Sequence, residues 1–251
     1  MFSLKLHRLS DLQHSTYVWY CDTTTFAPEQ IKACLRLLSN DESHRHAAIR
    51  SKPDADSYAI SHALLREALS SFTGTRHPLP APQEWLFTIE PSGKPLIEPP
   101  QNQPDLRFSL SHCRTACAIV ITQGRDCGID IENCKRKVDY TRVAGKMFTG
   151  NEVEFIRDSD EQRDTFFRLW TLREARTKAT GTGLANSAKE FGFQLDEDAI
   201  SYQPYNAADT EDDWQLATLE TLRDHILAVA IHRQDTEQRA DQDIHTIQVK
   251  A

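Results

Sequence analysis

At 251 residues the chain can form one large domain or two small ones, and with 39% hydrophobic and 26% charged residues it reads as soluble and globular. A net charge of −8, from 29 basic and 37 acidic residues, argues against a chain-wide nucleic-acid footprint, so any basic surface is local. No apolar run approaches the ~18 residues of a membrane helix. The start, MFSLKLHRLSDLQHSTYVWY, alternates like a strand and lacks the apolar stretch of a signal peptide, so the expected location is the cytoplasm.

In chain order, residues 4–20 read as a strand, and APEQIKACLRLLSN (27–40) as a helix with Ile31, Cys34, Leu35 and Leu38 on one stripe. A second helix is predicted over 55–74, with Gly74 as its C-cap. Pro78, Pro80 and Pro82, then EPSGKPLIEPPQNQP, mark an irregular segment around a short strand at 84–89. LRFSLSHC (106–113) reads as a strand. TACAIVIT, QGRD and CGIDIE together have the form of a β-hairpin, and suit a link between two halves equally well. Thr149 with Glu152 makes a capping-box pattern opening NEVEFIRDS, and Ser159 with Gln162 repeats it before a long helix that Gly181 and Gly183 stop. FGFQL, WQLATLE and HILAVAIH read as strands. From Arg233 the sequence is polar, and a mobile tail is expected over 233–251. The order strand, helices, strands occurs twice, which is compatible with two similar α+β halves.

The six cysteines, Cys21, Cys34, Cys113, Cys117, Cys127 and Cys134, include no C-x-x-C pair. A zinc site from Cys113, Cys117 and a histidine is one reading; reduced, buried thiols in the cytosol are the stronger one. His44, His46, His62 and His77 show no ligand spacing.

Two places carry chemistry. GIDIE (128–132) sets Asp130 and Glu132 at i and i+2 on a strand, so both carboxylates share a face while Ile129 and Ile131 point to the other. On the long helix, Trp170, Glu174 and Lys178 share a face at i, i+4 and i+8. Alone, Glu174 and Lys178 would be an ordinary surface pair. Set beside the strand, the three carboxylates Asp130, Glu132 and Glu174 supply hard oxygens suited to Mg²⁺, which keeps waters and completes its octahedron with substrate phosphates. Lys178 would then be a point charge for a phosphate.

GIDIE followed by WTLREARTKATGTGL (170–184) resembles the paired signature of 4′-phosphopantetheinyl transferases of the surfactin-synthetase-activating type, whose second motif usually reads W-x-x-K-E-[AS]-x-x-K. SGKP (92–95) and FSLSHC (108–113) match two further family motifs in the family's order, and RVAGKMFTGNEVEFI is similar to the stretch between the signatures. The likeness runs from about residue 40 to about residue 195. Singly, Ser111 reads as a turn residue, His112 as a structural histidine, Lys94–Pro95 as a loop dipeptide and Trp170 as core; in order, they read as a site.

The resemblance implies an α+β fold of two similar α/β halves related by a pseudo-twofold, with the active site in the cleft between them. The halves would be 1–124, binding adenine and the 3′-phosphate, and 125–232, binding Mg²⁺ and pyrophosphate and carrying catalysis, followed by the tail 233–251. It implies transfer of the 4′-phosphopantetheine arm of coenzyme A to a carrier-protein serine, releasing adenosine 3′,5′-bisphosphate. Asp130, Glu132 and Glu174 would hold Mg²⁺. Lys178 would meet the pyrophosphate, and Glu174 would accept the serine proton directly or through water. Ser111 and His112 would bind the 3′-phosphate, and Gly93, Lys94 and Pro95 would line the adenine pocket. Two positions depart from the pattern: Arg173 replaces a common Lys, and Ser57 replaces an Arg that holds a coenzyme A phosphate in many relatives, a contact that Arg45, Arg50 or Lys52 could supply. The expected partner is an acidic acyl or peptidyl carrier protein, steered by Lys135, Arg136, Lys137, Arg142 and Lys146 in the segment 135–148. A monomer is expected. The alternatives are a coenzyme A or carrier-binding module without turnover, and a Mg²⁺-dependent phosphohydrolase.

Overall fold

The computed structural model describes residues 15–72, 78–99, 101, 105–183, 190–196, 199–205, 210–219, 221–233 and 241–251. Its elements are β1 (Ser15–Asp22), α1 (Pro28–Leu35), α2 (Asn40–Ala48), α3 (Lys52–Ser70), β2 (Phe87–Ile89), β3 (Pro95–Ile97), β4 (Leu106–His112), β5 (Ala116–Gln123), β6 (Cys127–Asn133), α4 (Tyr140–Met147), α5 (Gly150–Asp158), α6 (Gln162–Thr180), β7 (Phe191–Leu195), β8 (Ile200–Pro204), β9 (Trp214–Leu219), β10 (His225–His232) and β11 (Asp243–Gln248). They divide into two compact units, 1–124 with 242–251, and 125–241. Among the described residues no helix is long and apolar enough to cross a membrane.

The two units follow one plan, and the fold is α+β. In the first, α3 is nineteen residues long, the hairpin β2–β3 follows it, and the sheet runs β11-β1-β5-β4. In the second, α6 is nineteen residues long, the hairpin β7–β8 follows it, and the sheet runs β6-β10-β9. Apart from the added β11, the strand orders correspond one to one.

A buried ion pair repeats as well. In the first unit Ser39 caps α2, and the carboxylate of Glu42 returns to the Ser39 N–H at 2.8 Å. That carboxylate also takes Arg66 of α3 at 2.9 Å, and Arg66 donates on to the carbonyls of Pro82 and Trp85. In the second unit Thr149 caps α5, and Glu152 takes Arg173 of α6 at 2.7 Å. Arg173 donates to the Phe191 carbonyl, and its guanidinium lies 4.6 Å from the Phe191 ring centre. In each case a capping-box glutamate and a helix arginine are both withdrawn from water and bonded to each other and to backbone groups, the condition under which a buried charge pair is tolerated. Arg173 is therefore structural: the planar fork that sets it apart from lysine meets a carboxylate, a carbonyl and an aromatic face together.

Burial pushes the Glu42 carboxyl up, but the His62 hydrogen bond, the Ser39 N–H and the charges of His62 and Arg66 outweigh it and hold the group at about 2. A carboxyl titrating below its ordinary 4.5 stabilises the fold above that value and stops doing so as pH falls through about 2. Urea midpoints measured across pH 5 to 2 should therefore drop, and Glu42→Gln should flatten that drop. An equally steep profile in the variant would exclude Glu42 as its source.

Several sequence expectations are corrected. β5 and β6 do not form a hairpin: β5 lies between β1 and β4, while β6 pairs with β10, Asp130 opposite Ala228. The end of the supposed mobile tail is a strand, β11, paired parallel to β1 with Ser15 opposite Asp243 and Tyr20 opposite Gln248. Its half-buried Ile247 packs on the first core, as does the buried Val249 just beyond it. The helix expected over 27–40 stops at Leu35 and is followed by α2, which is too polar all round to show an apolar stripe. α3 ends at Ser70; Gly74 and His77, like the expected strand residues 4–14, lie outside the described residues. Ser159 does not cap α6: its hydroxyl accepts from the Glu161 N–H, and the helix starts at Gln162. Gly181, at φ 73°, ends α6 as expected. The strand β8 went unread. All six cysteines are thiols, five of them buried, and burial first of all pushes Cys34 up to about 12 and Cys134 up to about 11.

Candidate functional site

The site is built where α6 crosses β6. The facing surfaces are made of small residues: Ala175 and Ala179 on the helix, Ala228 and Ala230 on β10. Gly128 is the extreme case. A Cβ there would lie 1.8 Å from the Ala175 carbonyl oxygen and 2.6 Å from the Ala179 nitrogen. Strand and helix backbones thus meet with nothing between them, which glycine alone permits. Asp130 and Glu132 follow Gly128 at i+2 and i+4 on the same face of β6, and Glu174 and Lys178 each precede an alanine that the helix presses on the strand. The convergence of the acidic groups follows from this close approach.

Lys178 Nζ donates to Asp130 Oδ1 at 2.7 Å, and Asp130 is 5% exposed. Glu132 is held by Arg136, whose Nη2 donates to Oε1 at 3.1 Å and whose Nε lies 2.9 Å from Oε2, with the Trp170 side chain nearby. Glu174 is pushed up to about 6, first by burial, then by the charge of Asp130, with Lys178 pulling the other way and Glu132 adding to the rise. Glu132 is raised by burial and then by Asp130, against Arg136 and Trp170. Three carboxylates therefore share one half-buried face with two organic cations, leaving net negative charge on hard oxygens. That donor set fits Mg²⁺, which prefers a few carboxylates and leaves places for water and phosphate. Among the described residues no group of three or more His, Cys, Asp or Glu side chains is gathered as a ready-made metal shell; Lys178 and Arg136 hold two of the three acids instead.

The other expected residues lie in the first unit. Ser111 is buried near the end of β4, and His112 is exposed at its last position. Tyr58 of α3 stands edge-on to His112, ring centres 6.1 Å apart, and lies tilted by 31° against His62 at 4.1 Å. Arg45 is exposed on α2, with its charge near the Tyr58 side chain. Arg50 is exposed between α2 and α3. Ser57 donates to the Cys113 carbonyl at 2.6 Å, tying α3 to the β4–β5 turn, and Arg114 of that turn pairs with Asp54 at 3.2 Å. Gly93, at φ 91°, Lys94 and Pro95 form the turn and first residue of the hairpin β2–β3. Cys113 and Cys117 show no metal arrangement with a histidine among the described residues.

Three positions that shape this face carry little signal in the sequence. Gly128 was noted only as a letter of its motif. Arg136 was counted only as part of a basic segment, although i+4 from Glu132 was visible. Trp170, expected in the core, packs half-buried against it and lies near Glu132.

A family profile described as the 4′-phosphopantetheinyl transferase superfamily matches residues 126–230, the second unit almost entire. The chain is 29% identical over 206 residues to the 4′-phosphopantetheinyl transferase HetI of Nostoc sp., a match covering 80% of this chain and 81% of that protein. It is 27% identical over 176 residues to the 4′-phosphopantetheinyl transferase Sfp of Bacillus subtilis, covering 68% of this chain and 67% of that one.

Proposed function

The chain belongs to the 4′-phosphopantetheinyl transferase superfamily, and from that premise we propose that the face shared by β6 and α6 is its catalytic centre. There the 4′-phosphopantetheine arm of coenzyme A passes to a serine hydroxyl of an acyl or peptidyl carrier protein, with adenosine 3′,5′-bisphosphate leaving. The observation that carries this assignment is the convergence of Asp130, Glu132, Glu174 and Lys178 from segments about forty residues apart.

Asp130, Glu132 and Glu174 would hold Mg²⁺, whose chemistry is to neutralise the pyrophosphate oxygens as charge develops on them. Lys178 offsets charge on the same pyrophosphate. Glu174 takes the serine proton, directly or through water; its carboxyl at about 6 lies nearer the working pH than an ordinary one, which favours a general base. Ser111, His112 and Arg45 would meet the adenosine 3′-phosphate, with Arg50 close by in sequence. Gly93, Lys94 and Pro95 would line the adenine pocket. Support for Arg45 comes from its charge lying near Tyr58, the ring that also meets His112. The exposed Lys135, Lys137, Arg142 and Lys146 suit an acidic carrier protein. A cytoplasmic monomer completes the reading, the six thiols suiting a reducing compartment.

Incubation with a panel of apo carrier proteins, coenzyme A and Mg²⁺ should add one phosphopantetheine mass to a carrier, and a chelator should abolish the gain until Mg²⁺ is restored. Coenzyme A binding without mass gain on any carrier would instead mark a binding module. Release of adenosine 3′,5′-bisphosphate with no carrier present would mark a phosphohydrolase.

A further inference from the structure

Arg136 lies outside both signature stretches, yet its side chain takes both oxygens of Glu132, at 3.1 and 2.9 Å. The turn that carries it is braced. Asn133 Oδ1 accepts the Lys135 N–H at 2.8 Å, and Arg163 donates to the carbonyls of Cys134 and of Arg136 itself. The guanidinium groups of Arg136 and Arg163 each lie 5.3 Å from the Phe167 ring centre. The guanidinium of Arg136 is thus directed back over β6 by fixed neighbours, unlike Lys135 and Lys137, which stand exposed on either side of it in the sequence.

We infer that Arg136 is a positioning residue, a built-in counter-ion that holds Glu132 when no divalent cation is present and competes with that cation for the same carboxylate. The inference rests on the reading of Glu132 as a metal ligand. A carboxylate whose two oxygens already face a guanidinium cannot give them to a metal ion without loosening that pair, and the positive charge beside it opposes a second cation. Arg136 therefore keeps the protein alone from binding the cation as tightly as three unopposed carboxylates would, and holds Glu132 in place meanwhile.

The test is Mn²⁺ binding to the full chain without coenzyme A, followed by electron paramagnetic resonance of the unbound ion. Arg136→Met keeps an apolar side chain over Phe167 and removes the charge; it should bind Mn²⁺ about five-fold more tightly than the parent, the scale of a partly exposed ion pair. Arg136→Lys restores a cation and should fall within about two-fold of the parent. Glu132→Gln is the control and should weaken binding. If Glu132→Gln weakens binding while Arg136→Met binds Mn²⁺ no better than the parent, Arg136 does not compete and the inference is overturned, with Glu132 still a ligand. If Glu132→Gln leaves binding unchanged, the metal role of Glu132 fails and the inference fails with it.

Discussion

Gly128→Ala is expected to lower the melting temperature by about 10 °C or more, corresponding to roughly 4 kcal/mol, and to remove transferase turnover with it. The added Cβ would sit 1.8 Å from the Ala175 carbonyl oxygen, and no rotamer can relieve a clash between Cβ and backbone. Either α6 lifts from β6 or the strand bends. Both open the packing of Ala175, Ala179, Ala228 and Ala230, and both separate Asp130 from Lys178. Overpacking of an ordinary core position typically costs about 1–3 kcal/mol; a clash with the helix backbone at both Ala175 and Ala179 places this one above that range. Gly145→Ala is the control, because a Cβ there meets nothing within 4 Å and the position is helical, so alanine should be neutral or slightly stabilising. Calorimetric melts of the two variants decide the matter. A Gly128→Ala protein that melts with the parent would show that the close approach of α6 and β6 is not what holds the site.

Asp130→Asn should separate function from stability. Asparagine matches the shape of aspartate, so the contact with Lys178 survives as an ordinary hydrogen bond, but the charge is gone. Turnover should fall by about 10³-fold or more, about 4 kcal/mol of transition-state stabilisation, because the proposed metal ligand and the counter-ion of Lys178 are lost together. Stability should hold or rise. The negative charge of Asp130 is, after burial, a main cause raising both Glu174 and Glu132, so its removal relieves repulsion within the cluster. By the same logic the carboxyl resonances of Glu174 and Glu132 should titrate at lower pH in the variant, which carbon NMR of labelled glutamate would report. Activity within ten-fold of the parent, still dependent on Mg²⁺, would sink the role given to Asp130. Opposite outcomes in the two variants, one losing stability with activity and the other activity alone, distinguish the residue that brings strand and helix together from one that acts at their junction.

The duplicated plan shows how the two units differ at the face proposed for this chemistry. Aligned on the buried pairs Glu42–Arg66 and Glu152–Arg173, Glu67 takes the position of Glu174. The strand that corresponds to β6, however, is β1, with the sequence STYVWYCD, whose interior has tyrosine, tryptophan and valine where β6 has Asp130. Among the described residues, the second copy brings acidic groups from strand and helix together and the first does not.

What the amino-acid sequence determined by itself was local. Thr149 and Glu152 mark a helix start because the two side chains satisfy each other's backbone N–H within four residues. The i, i+2 spacing of Asp130 and Glu132 puts both on one face of any strand, and the four-residue spacing of Glu174 and Lys178 puts both on one face of any helix. Pairing between distant segments was decided only in the tertiary structure. The turn after β5 looks like a hairpin turn, yet both edges of β5 are taken by β1 and β4, and β6 finds β10 nearly a hundred residues on. Ile244 and Ile247 of β11 are too few to mark a strand until the edge of β1 offers them a partner. The cations that hold the acids, Lys178 on Asp130 and Arg136 on Glu132, are likewise products of packing. Spacing states which face a side chain takes; which surface meets that face depends on hydrogen bonds and apolar burial gained across long stretches of chain, and no window of sequence contains those terms.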